Sequence, residues 1–326
     1  MMLNVNDIFE LSAENFNEMA LSVFREQAQH VEIYQKFIQY LSIDIKKITH
    51  YTQIPFLPIS FFKSHKIIHS TKKEELIFSS SGTTGMTTSK HYVAKKQVYE
   101  QSFNTAFKHF FGDPKQYCIL ALLPSYLERK GSSLVYMTEQ LIADSQHKKS
   151  GFYLYDYKNL AETLQNLEET GQKTILLGVS FALLDFAESH PMKLQNTLIM
   201  ETGGMKGKRK ELIREELHAI LKKSFGLEKI HSEYGMTELL SQAYSKGDGI
   251  FECPPFMKIL IADPSDPLHL LEKGKSGLIN IIDLANIYSC SFLATNDLGK
   301  VHQNNTFEVL GRMDFSDIRG CNLLVH

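Results

Sequence analysis

The spacing of apolar residues divides the chain into predicted helices and strands. Between residues 15 and 41, apolar side chains recur at every third or fourth position, namely at Phe24, Ala28, Val31, Tyr34, Ile38 and Leu41. This spacing predicts one or two amphipathic helices whose apolar stripe packs against the rest of the protein. Two prolines follow, Pro55 and Pro58, and they favour an extended path. We therefore place a soft boundary after a helical lead-in of residues 1–55.

From residue 56 to about residue 240, short apolar runs alternate with helical patterns. The runs predict strands at residues 76–78, 117–123, 151–155, 174–178, 197–201 and 229–232. Helices are predicted at residues 95–111, 133–143, 158–169, 181–189 and 208–225. This alternation predicts an α/β fold in which helices cover both faces of a largely parallel sheet and ligands bind at the C-terminal ends of the strands.

After residue 241 the apolar runs become short and resemble strands. They lie at residues 257–261, 278–282, 291–294 and 306–310. We expect residues 241–326 to form a smaller β-rich region that packs against the sheet. Since no repeat and no long low-complexity tract interrupts the sequence, we treat residues 1–326 as a single large domain, with residues 56–240 as its α/β core.

Composition narrows the function classes. The chain has 326 residues, 35 Lys and Arg against 37 Asp and Glu, and no basic run, so nucleic acid and anionic membranes are poor candidates as partners. Its longest nearly uninterrupted apolar run, residues 175–184, is shorter than the roughly 20 residues that span a bilayer. The N-terminus lacks the pattern of a signal peptide, and we expect a cytoplasmic protein. The four cysteines are widely spaced and predict reduced thiols rather than a zinc site or disulfides.

A Ser/Thr-rich segment carries the first candidate chemistry. Residues 79–91 read SSSGTTGMTTSKH, with eight hydroxyl side chains, two glycines and a lysine. Glycines let the backbone approach an anion, and hydroxyl and N–H groups supply donors, so the segment suits a phosphate loop between a strand and a helix. It matches neither the Walker nor the dinucleotide pattern. The alternative interpretation from composition is a flexible linker.

SSGTTG resembles the phosphate loop of the adenylate-forming enzymes, which include acyl- and aryl-CoA synthetases, firefly-type luciferases and peptide-synthetase adenylation domains. The resemblance implies the large-domain fold of that superfamily and ATP as a ligand. It assigns contacts with ATP to Ser80, Ser81, Gly82, Thr83, Thr84, Gly85 and Lys90.

A second match follows the strand predicted at residues 229–232. Residues 234–238 read YGMTE, similar to the family's Y-G-x-T-E motif. By resemblance, Tyr234 stacks on adenine, Thr237 contacts the α-phosphate, and Glu238 holds Mg²⁺, with Thr237 and Glu238 acting in catalysis. These roles are chemically reasonable, because Mg²⁺ prefers oxygen ligands and an aromatic ring can stack on a base.

Three further segments match in order. Residues 295–299, TNDLG, resemble T-G-D-x-G with Asn296 in place of the glycine, which gives Asp297 the ribose hydroxyls. Residues 311–314, GRMD, resemble G-R-x-D, which gives Arg312 a contact with ribose or phosphate. Between these and the phosphate loop, residues 201–204 resemble the segment along adenine and the acyl pocket, and thus implicate Gly203 and Gly204.

The sequence given stops at His326, shortly after the last motif, so we expect no counterpart of the superfamily's mobile C-terminal domain. The acyl-protein synthetases of bacterial bioluminescence (LuxE-type) are a similar short branch. Residues 54–58, 124–129, 131–134 and 317–321 resemble characteristic segments of that branch. The resemblance implies activation of a fatty acid as acyl-AMP, transfer to Cys321, and delivery to a partner such as an acyl reductase or an acyl carrier. Cys118, Cys253 and Cys290 are then structural.

Two other functions stay open at this point. One is a phenylacetate-type acyl- or aryl-CoA ligase, which releases AMP only when CoA is present. The other is a non-catalytic protein that binds a nucleotide or an acyl group within a larger complex.

Overall fold

The structure, a computed structural model, describes residues 4–80, 87–123, 131–203 and 212–313. The described residues form the helices α1 (Val5–Phe9), α2 (Phe16–His30), α3 (Glu32–Tyr40), α4 (Phe61–Ser64), α5 (Lys96–Phe111), α6 (Ser133–Ser145), α7 (Tyr157–Glu169), α8 (Ser180–Ser189) and α9 (Arg214–Phe225). Short 3₁₀ helices lie at Ile45–Lys47, Tyr51–Gln53, Pro114–Gln116 and Leu284–Asn286. None of the helices in these ranges has the length and apolar character needed to cross a membrane.

The strands are β1 (Leu57–Pro58), β2 (Leu76–Ser79), β3 (Lys90–Val93), β4 (Cys118–Leu122), β5 (Gly151–Phe152), β6 (Thr174–Val179), β7 (Thr197–Thr202), β8 (His231–Tyr234), β9 (Ala243–Ser245), β10 (Ile250–Glu252), β11 (Met257–Ala262), β12 (Ser276–Asp283), β13 (Phe292–Val301) and β14 (Phe307–Arg312). Within the described ranges, twelve of these strands form one sheet in the order β11-β12-β13-β14-β10-β9-β8-β7-β6-β4-β5, and β1 pairs with β13.

One half of the large sheet is parallel and covered on both faces. Strands β5, β4, β6, β7 and β8 run parallel, and every residue of β4 and β6 is buried. The residues of β4 belong to two different cores: Ile119 packs with helices from the N-terminal half, whereas Leu120 packs with α7, α8 and α9. Strands buried on both faces are continuous apolar runs. The predicted α/β fold with a largely parallel, helix-covered sheet is thereby confirmed.

The predicted β-rich C-terminal region is present, but its strands join the sheet differently from our expectation. They do not pack against the sheet as a separate region; they continue it, because β9 is hydrogen-bonded to β8, β10 to β9, and β14 to β10. These pairs are antiparallel, so a short connection suffices between neighbouring strands. The extended sheet carries residues from both halves of the chain to a common region.

The Ser/Thr-rich segment also has a different setting from the one predicted. Strands β2 and β3 form a separate antiparallel pair, with Ser79 opposite Lys90, and α5 begins only at Lys96. The strand predicted at residues 76–78 and the helix predicted at residues 95–111 are both present, but β2 pairs with β3 outside the main sheet, and β3 lies between the loop and the helix. Apolar runs as short as these do not reveal which strands will pair.

Candidate active site

A cleft of about 430 Å³ lies where several chain segments meet. Its walls come from the ends of β2 and β7, the start of α6, the segment 233–242, residues 295–297 of β13, and Arg312 at the end of β14. The volume falls within the roughly 300–1,000 Å³ of small-molecule sites. As expected for an α/β fold, the cleft includes the C-terminal ends of the parallel strands β7 and β8.

The structure brings together six of the residues singled out from the sequence. They line this one cleft: Ser80, Gly203, Thr237, Glu238, Asp297 and Arg312. Lys90 is exposed on β3 and is not among the lining residues that the structure describes. Ser81, Gly82, Thr83, Thr84, Gly85, Gly204 and Cys321 lie outside the described residues. Their roles stay predictions.

The base of the Ser/Thr-rich loop is closed by two hydrogen bonds. The Ser80 N–H donates to the carbonyl of Ser89 over 3.0 Å, and the Ser89 N–H donates to the hydroxyl oxygen of Ser80 over 2.9 Å. Ser79, Ser80, Thr87 and Ser89 all line the cleft. The described ends of this loop therefore present hydroxyl groups to the same space as the other motifs.

Two buried side chains hold the loop that carries Thr237 and Glu238. Asn286 donates its amide N–H to the backbone carbonyl of Glu238 over 2.8 Å, and His91 Nδ1 donates to the carbonyl of Thr237 over 2.8 Å. Burial lowers the pKa of His91 to about 4. Each side chain satisfies a carbonyl that would otherwise be buried without a partner.

The end of the same loop is fixed by Asp283. Its carboxylate accepts the backbone N–H groups of Leu240 over 2.7 Å and Ser241 over 3.1 Å, and also the Ser241 hydroxyl. Burial raises the pKa of Asp283, although these hydrogen bonds oppose the rise. The segment from residue 237 to residue 241 is thus attached to β3, β12 and the 3₁₀ helix at Leu284–Asn286.

Glu238 is a buried carboxylate with cations in its surroundings. Its residue is 6% exposed, and burial raises its pKa, while a hydrogen bond from Ser89 and the charges of Arg312 and Lys63 lower it. A carboxylate oxygen in a cleft fits the oxygen ligation that Mg²⁺ prefers, and a bound cation would favour its charged form. The residues present are compatible with the magnesium role predicted for Glu238.

Asp297 forms an ion pair with Arg312 and accepts a hydrogen bond from Tyr234. Arg312 Nε donates to one oxygen of Asp297 over 2.9 Å, and the Tyr234 hydroxyl donates to the other over 2.9 Å. The Tyr234 ring is 8% exposed and makes edge contacts with Phe251 and Phe307. In this arrangement Tyr234 positions Asp297, and its stacking on adenine stays a prediction.

Sequence reasoning did not single out several polar residues of the cleft wall, among them Lys63, Thr202, Glu233 and Gln242. Burial raises the pKa of Glu233 to about 7, against the lowering effect of a hydrogen bond from Thr202. A charged residue immediately before the Y-G-x-T-E motif, in a strand that reads as buried, is the signal that could have identified Glu233.

A separate group of side chains that could ligate a metal lies at the end of α2 and in the segment before β2. Ligand atoms of Glu26, His30 and His69 are within 4.8 Å of one another. The His30 and His69 rings stack with centroids 4.7 Å apart, and the His69 ring nitrogen Nε2 lies 3.1 Å from the Glu26 carboxylate. None of the three lines the cleft described above. Direct hydrogen bonding and stacking account for the arrangement without an ion.

The family model for acyl-protein synthetase, LuxE, matches residues 5–326. The chain belongs to this family. A curated relative, the long-chain-fatty-acid–luciferin-component ligase of Vibrio harveyi, is 23% identical over an alignment 322 positions long. The alignment covers 89% of this chain and 82% of the relative. The resemblance to LuxE-type acyl-protein synthetases is confirmed, and with it the expected class of acyl-activating ligase.

Solved structures of adenylate-forming ligases share the fold of this LuxE-family chain. A 2-hydroxyisobutyryl-CoA ligase in complex with 2-HIB-AMP and CoA matches with a TM-score of 0.68 at 11% identity, covering 95% of this chain and 70% of that one. ATP-bound MatB from Rhodopseudomonas palustris matches with a TM-score of 0.54 at 18% identity, covering 72% of this chain. The match spans only 47% of MatB, and at these identities the likeness shows the fold alone.

Proposed function

We propose that this LuxE-family chain activates a carboxylic acid, expected to be a fatty acid, with MgATP to give an acyl-adenylate. The acyl group is then carried on Cys321 and delivered to a partner such as an acyl reductase. The observation that carries the proposal is the convergence on one cleft of residues from five motifs that are far apart in sequence: Ser80, Gly203, Thr237, Glu238, Asp297 and Arg312.

In the first step, a carboxylate oxygen of the acid attacks the α-phosphorus of ATP. The bond from that phosphorus to the bridging oxygen breaks, and pyrophosphate leaves with the electron pair. The hydroxyls at the loop ends, Thr237, and the cations Lys63 and Arg312 supply donors and positive charge to a cleft that receives these phosphates. Asp297 retains lone pairs for ribose hydroxyls, because a carboxylate accepts more than the two hydrogen bonds it already has.

Glu238 is the residue that would hold Mg²⁺, and a bound Mg²⁺ would supply further positive charge close to the phosphates. The chain's own contribution is to keep this carboxylate in place. It does so through the hydrogen bond from Asn286 to the Glu238 carbonyl and through the neighbouring contact of His91 with Thr237.

In the second step, the Cys321 thiolate attacks the acyl carbonyl carbon, the bond from that carbon to the AMP oxygen breaks, and AMP leaves. The thiol proton passes to solvent, and a later acceptor displaces the thioester sulfur. The described cysteines are poorly suited to this role. Burial raises the pKa of Cys118 to about 11 and those of Cys253 and Cys290 to about 12, so at neutral pH they remain thiols.

Pyrophosphate exchange and protein labelling test the two steps separately. The protein is incubated with MgATP, radiolabelled pyrophosphate and a panel of fatty, hydroxylated, amino and aromatic acids, and we expect acid-dependent labelling of ATP. Exchange with none of these acids, with or without candidate partners, would contradict the first step. AMP release only when CoA is added would instead favour a CoA ligase.

For the second step, radiolabelled acid that supports exchange is supplied with MgATP. We expect a hydroxylamine-labile label on the wild type and on Cys253→Ser, the matched control, but none on Cys321→Ser, which should still support exchange. Equal labelling of the wild type and Cys321→Ser would rule out Cys321 as the carrier.

A further inference from the structure

One part of the cleft wall is formed by two buried polar side chains that converge on Gly235. Glu233 is 9% exposed and Gln242 is 4% exposed, and both line the cleft. A Cβ atom built on Gly235 would lie 2.4 Å from Glu233 Oε1 and 3.3 Å from Gln242 Cγ. Both side chains therefore lie next to Gly235, and a larger residue at this position would displace the Glu233 carboxyl group.

One acceptor of this pair has no hydrogen-bond donor among the residues that the structure describes. Gln242 Oε1 is buried and has no hydrogen-bond partner among the described residues. Glu233 Oε2 accepts the Thr202 hydroxyl. An acceptor that stays buried and unpaired costs about 1–3 kcal/mol, so a bound molecule that donates to it gains affinity at this point.

The charges around Glu233 also favour a ligand group that donates a hydrogen bond. Besides burial, the charge of Glu201 raises the pKa of Glu233. Glu201 is itself paired with Arg214 over 3.2 Å. A second carboxylate nearby disfavours the anionic form of Glu233, and a ligand with an ammonium or hydroxyl group would offset that repulsion. Asp297, by contrast, already pairs with Arg312 and Tyr234, which marks a different part of the cleft.

We infer that the acid substrate carries a hydroxyl or amino group, and that Gln242 Oε1 and the Glu233 carboxyl accept hydrogen bonds from it. The inference rests on the proposed adenylation and specifies its substrate class. The lining residues Leu134 and Met137 give the same cleft an apolar contribution, which suits the carbon chain of an acid that carries such a donor. Unsubstituted acids of equal length would leave Gln242 Oε1 unpaired.

Pyrophosphate exchange with matched acids tests this substrate class. Unsubstituted, hydroxylated and amino-substituted acids of the same chain length are compared by kcat/KM over a series from about four to sixteen carbons. Sites that hydrogen-bond a substrate group discriminate strongly against analogues that lack it. We expect the best substituted acid to exceed its unsubstituted counterpart by about 10-fold or more, and Gln242→Met to reduce that ratio at least about fivefold. Gln39→Met, the same change on the exposed surface of α3, should keep the ratio.

The outcomes separate this inference from the proposed function. Exchange that is equally efficient with unsubstituted and substituted acids would overturn the inference and leave adenylation standing, whereas exchange with no acid would remove the proposed function itself. A third outcome identifies the adenine amino group as the donor. If Gln242→Met raised the KM for ATP, left the KM for inosine triphosphate unchanged and kept the acid ratio, the inference would be wrong.

Discussion

At the scale of single residues, the cleft is notable for carboxylates that have little access to solvent. Burial raises the pKa values of Glu233 and Glu238, and hydrogen bonds from Thr202 and Ser89, respectively, partly oppose the rise. Such shifts are common where a charge must be ready to interact with a ligand. Removing the charge while keeping the shape of the side chain therefore separates a role in activity from a role in folding.

Glu238→Gln should abolish Mg-dependent exchange while the protein stays folded. We expect kcat to fall by about 100-fold or more, because a neutral amide is a poor ligand for a hard cation. Burial already disfavours the charge, so thermal stability near neutral pH should be unchanged or slightly higher. Exchange kinetics over a range of Mg²⁺ concentrations and a thermal melt check this. Glu139→Gln, on the exposed side of α6, is the control; equal activity of the two variants at limiting Mg²⁺ would refute the role of Glu238.

Glu233 should make stability depend on pH. Its pKa rises from the usual 4.5 to about 7 in the folded protein. The protonated carboxyl group therefore stabilises the folded protein fully below pH 4.5, and this stabilisation is lost as pH rises to about 7. At one pKa unit per 1.36 kcal/mol, Glu233→Gln should gain roughly 2–3 kcal/mol relative to the wild type between pH 5 and pH 7.5. Urea unfolding at both pH values measures the gain. A stability difference that does not change with pH would contradict the assignment.

At the scale of elements, the decisive feature is the attachment of one motif loop to three distant segments. The loop after β8 is fixed by His91 from β3, Asp283 from β12, and Asn286 from a 3₁₀ helix. The conformation of the loop therefore depends on these distant residues as well as on contacts within the loop. Its geometry should respond to substitutions that do not themselves line the cleft.

Asn286→Leu should lower stability and activity together, although Asn286 is not among the lining residues described for the cleft. It leaves the Glu238 carbonyl buried without its donor, which costs about 1–3 kcal/mol. We expect a raised KM for Mg²⁺ as well as a lower kcat, since the Glu238 side chain loses its anchor. Exchange kinetics and urea unfolding measure both effects. Asn159→Leu, on an exposed surface of α7, should change neither; an unaltered KM for Mg²⁺ in Asn286→Leu would show that the anchor is merely structural.

At the scale of the whole molecule, a buried amide on α2 binds the segment between β12 and β13. Gln27 on α2 is fully buried; it donates to the carbonyls of Asn286 and Ile287 and accepts the Ser291 N–H, each over 3.0 Å. These partners are more than 250 positions away in sequence. The single-domain prediction is consistent with such contacts, and it can be tested by unfolding.

We expect one cooperative unfolding transition, with coincident midpoints by far-UV circular dichroism and by tyrosine fluorescence, which is usable because the chain has no Trp. Gln27→Leu should move the whole transition to lower urea by leaving buried groups unpaired, at a cost of about 2–4 kcal/mol. Gln39→Leu, on an exposed surface of α3, should leave it in place. Two resolved transitions, or a shift confined to one probe, would instead indicate that the N-terminal helices unfold separately.

The sequence by itself determined the α/β class, the approximate helices and strands, and the order of the motifs. Apolar periodicity and local residue chemistry are properties of neighbouring residues, so they can be read without coordinates. The helical pattern between residues 15 and 41 was correct, for example, and the structure divides it at Val31 into α2 and α3. Thr237, Glu238, Asp297 and Arg312 were likewise identified from short segments and proved to line one cleft.

Only the tertiary structure decided which strands pair and which side chains meet. The pairing of β2 with β3 and the continuation of the main sheet through β9 and β10 depend on hydrogen bonds between segments whose short apolar runs look alike in sequence. The convergence of Glu233 and Gln242 on Gly235 follows from the backbone path after β8, and His91 meets Thr237 across 146 positions. Burial, unpaired acceptors and shifted pKa values arise from such long-range packing, because they depend on what surrounds a side chain in space.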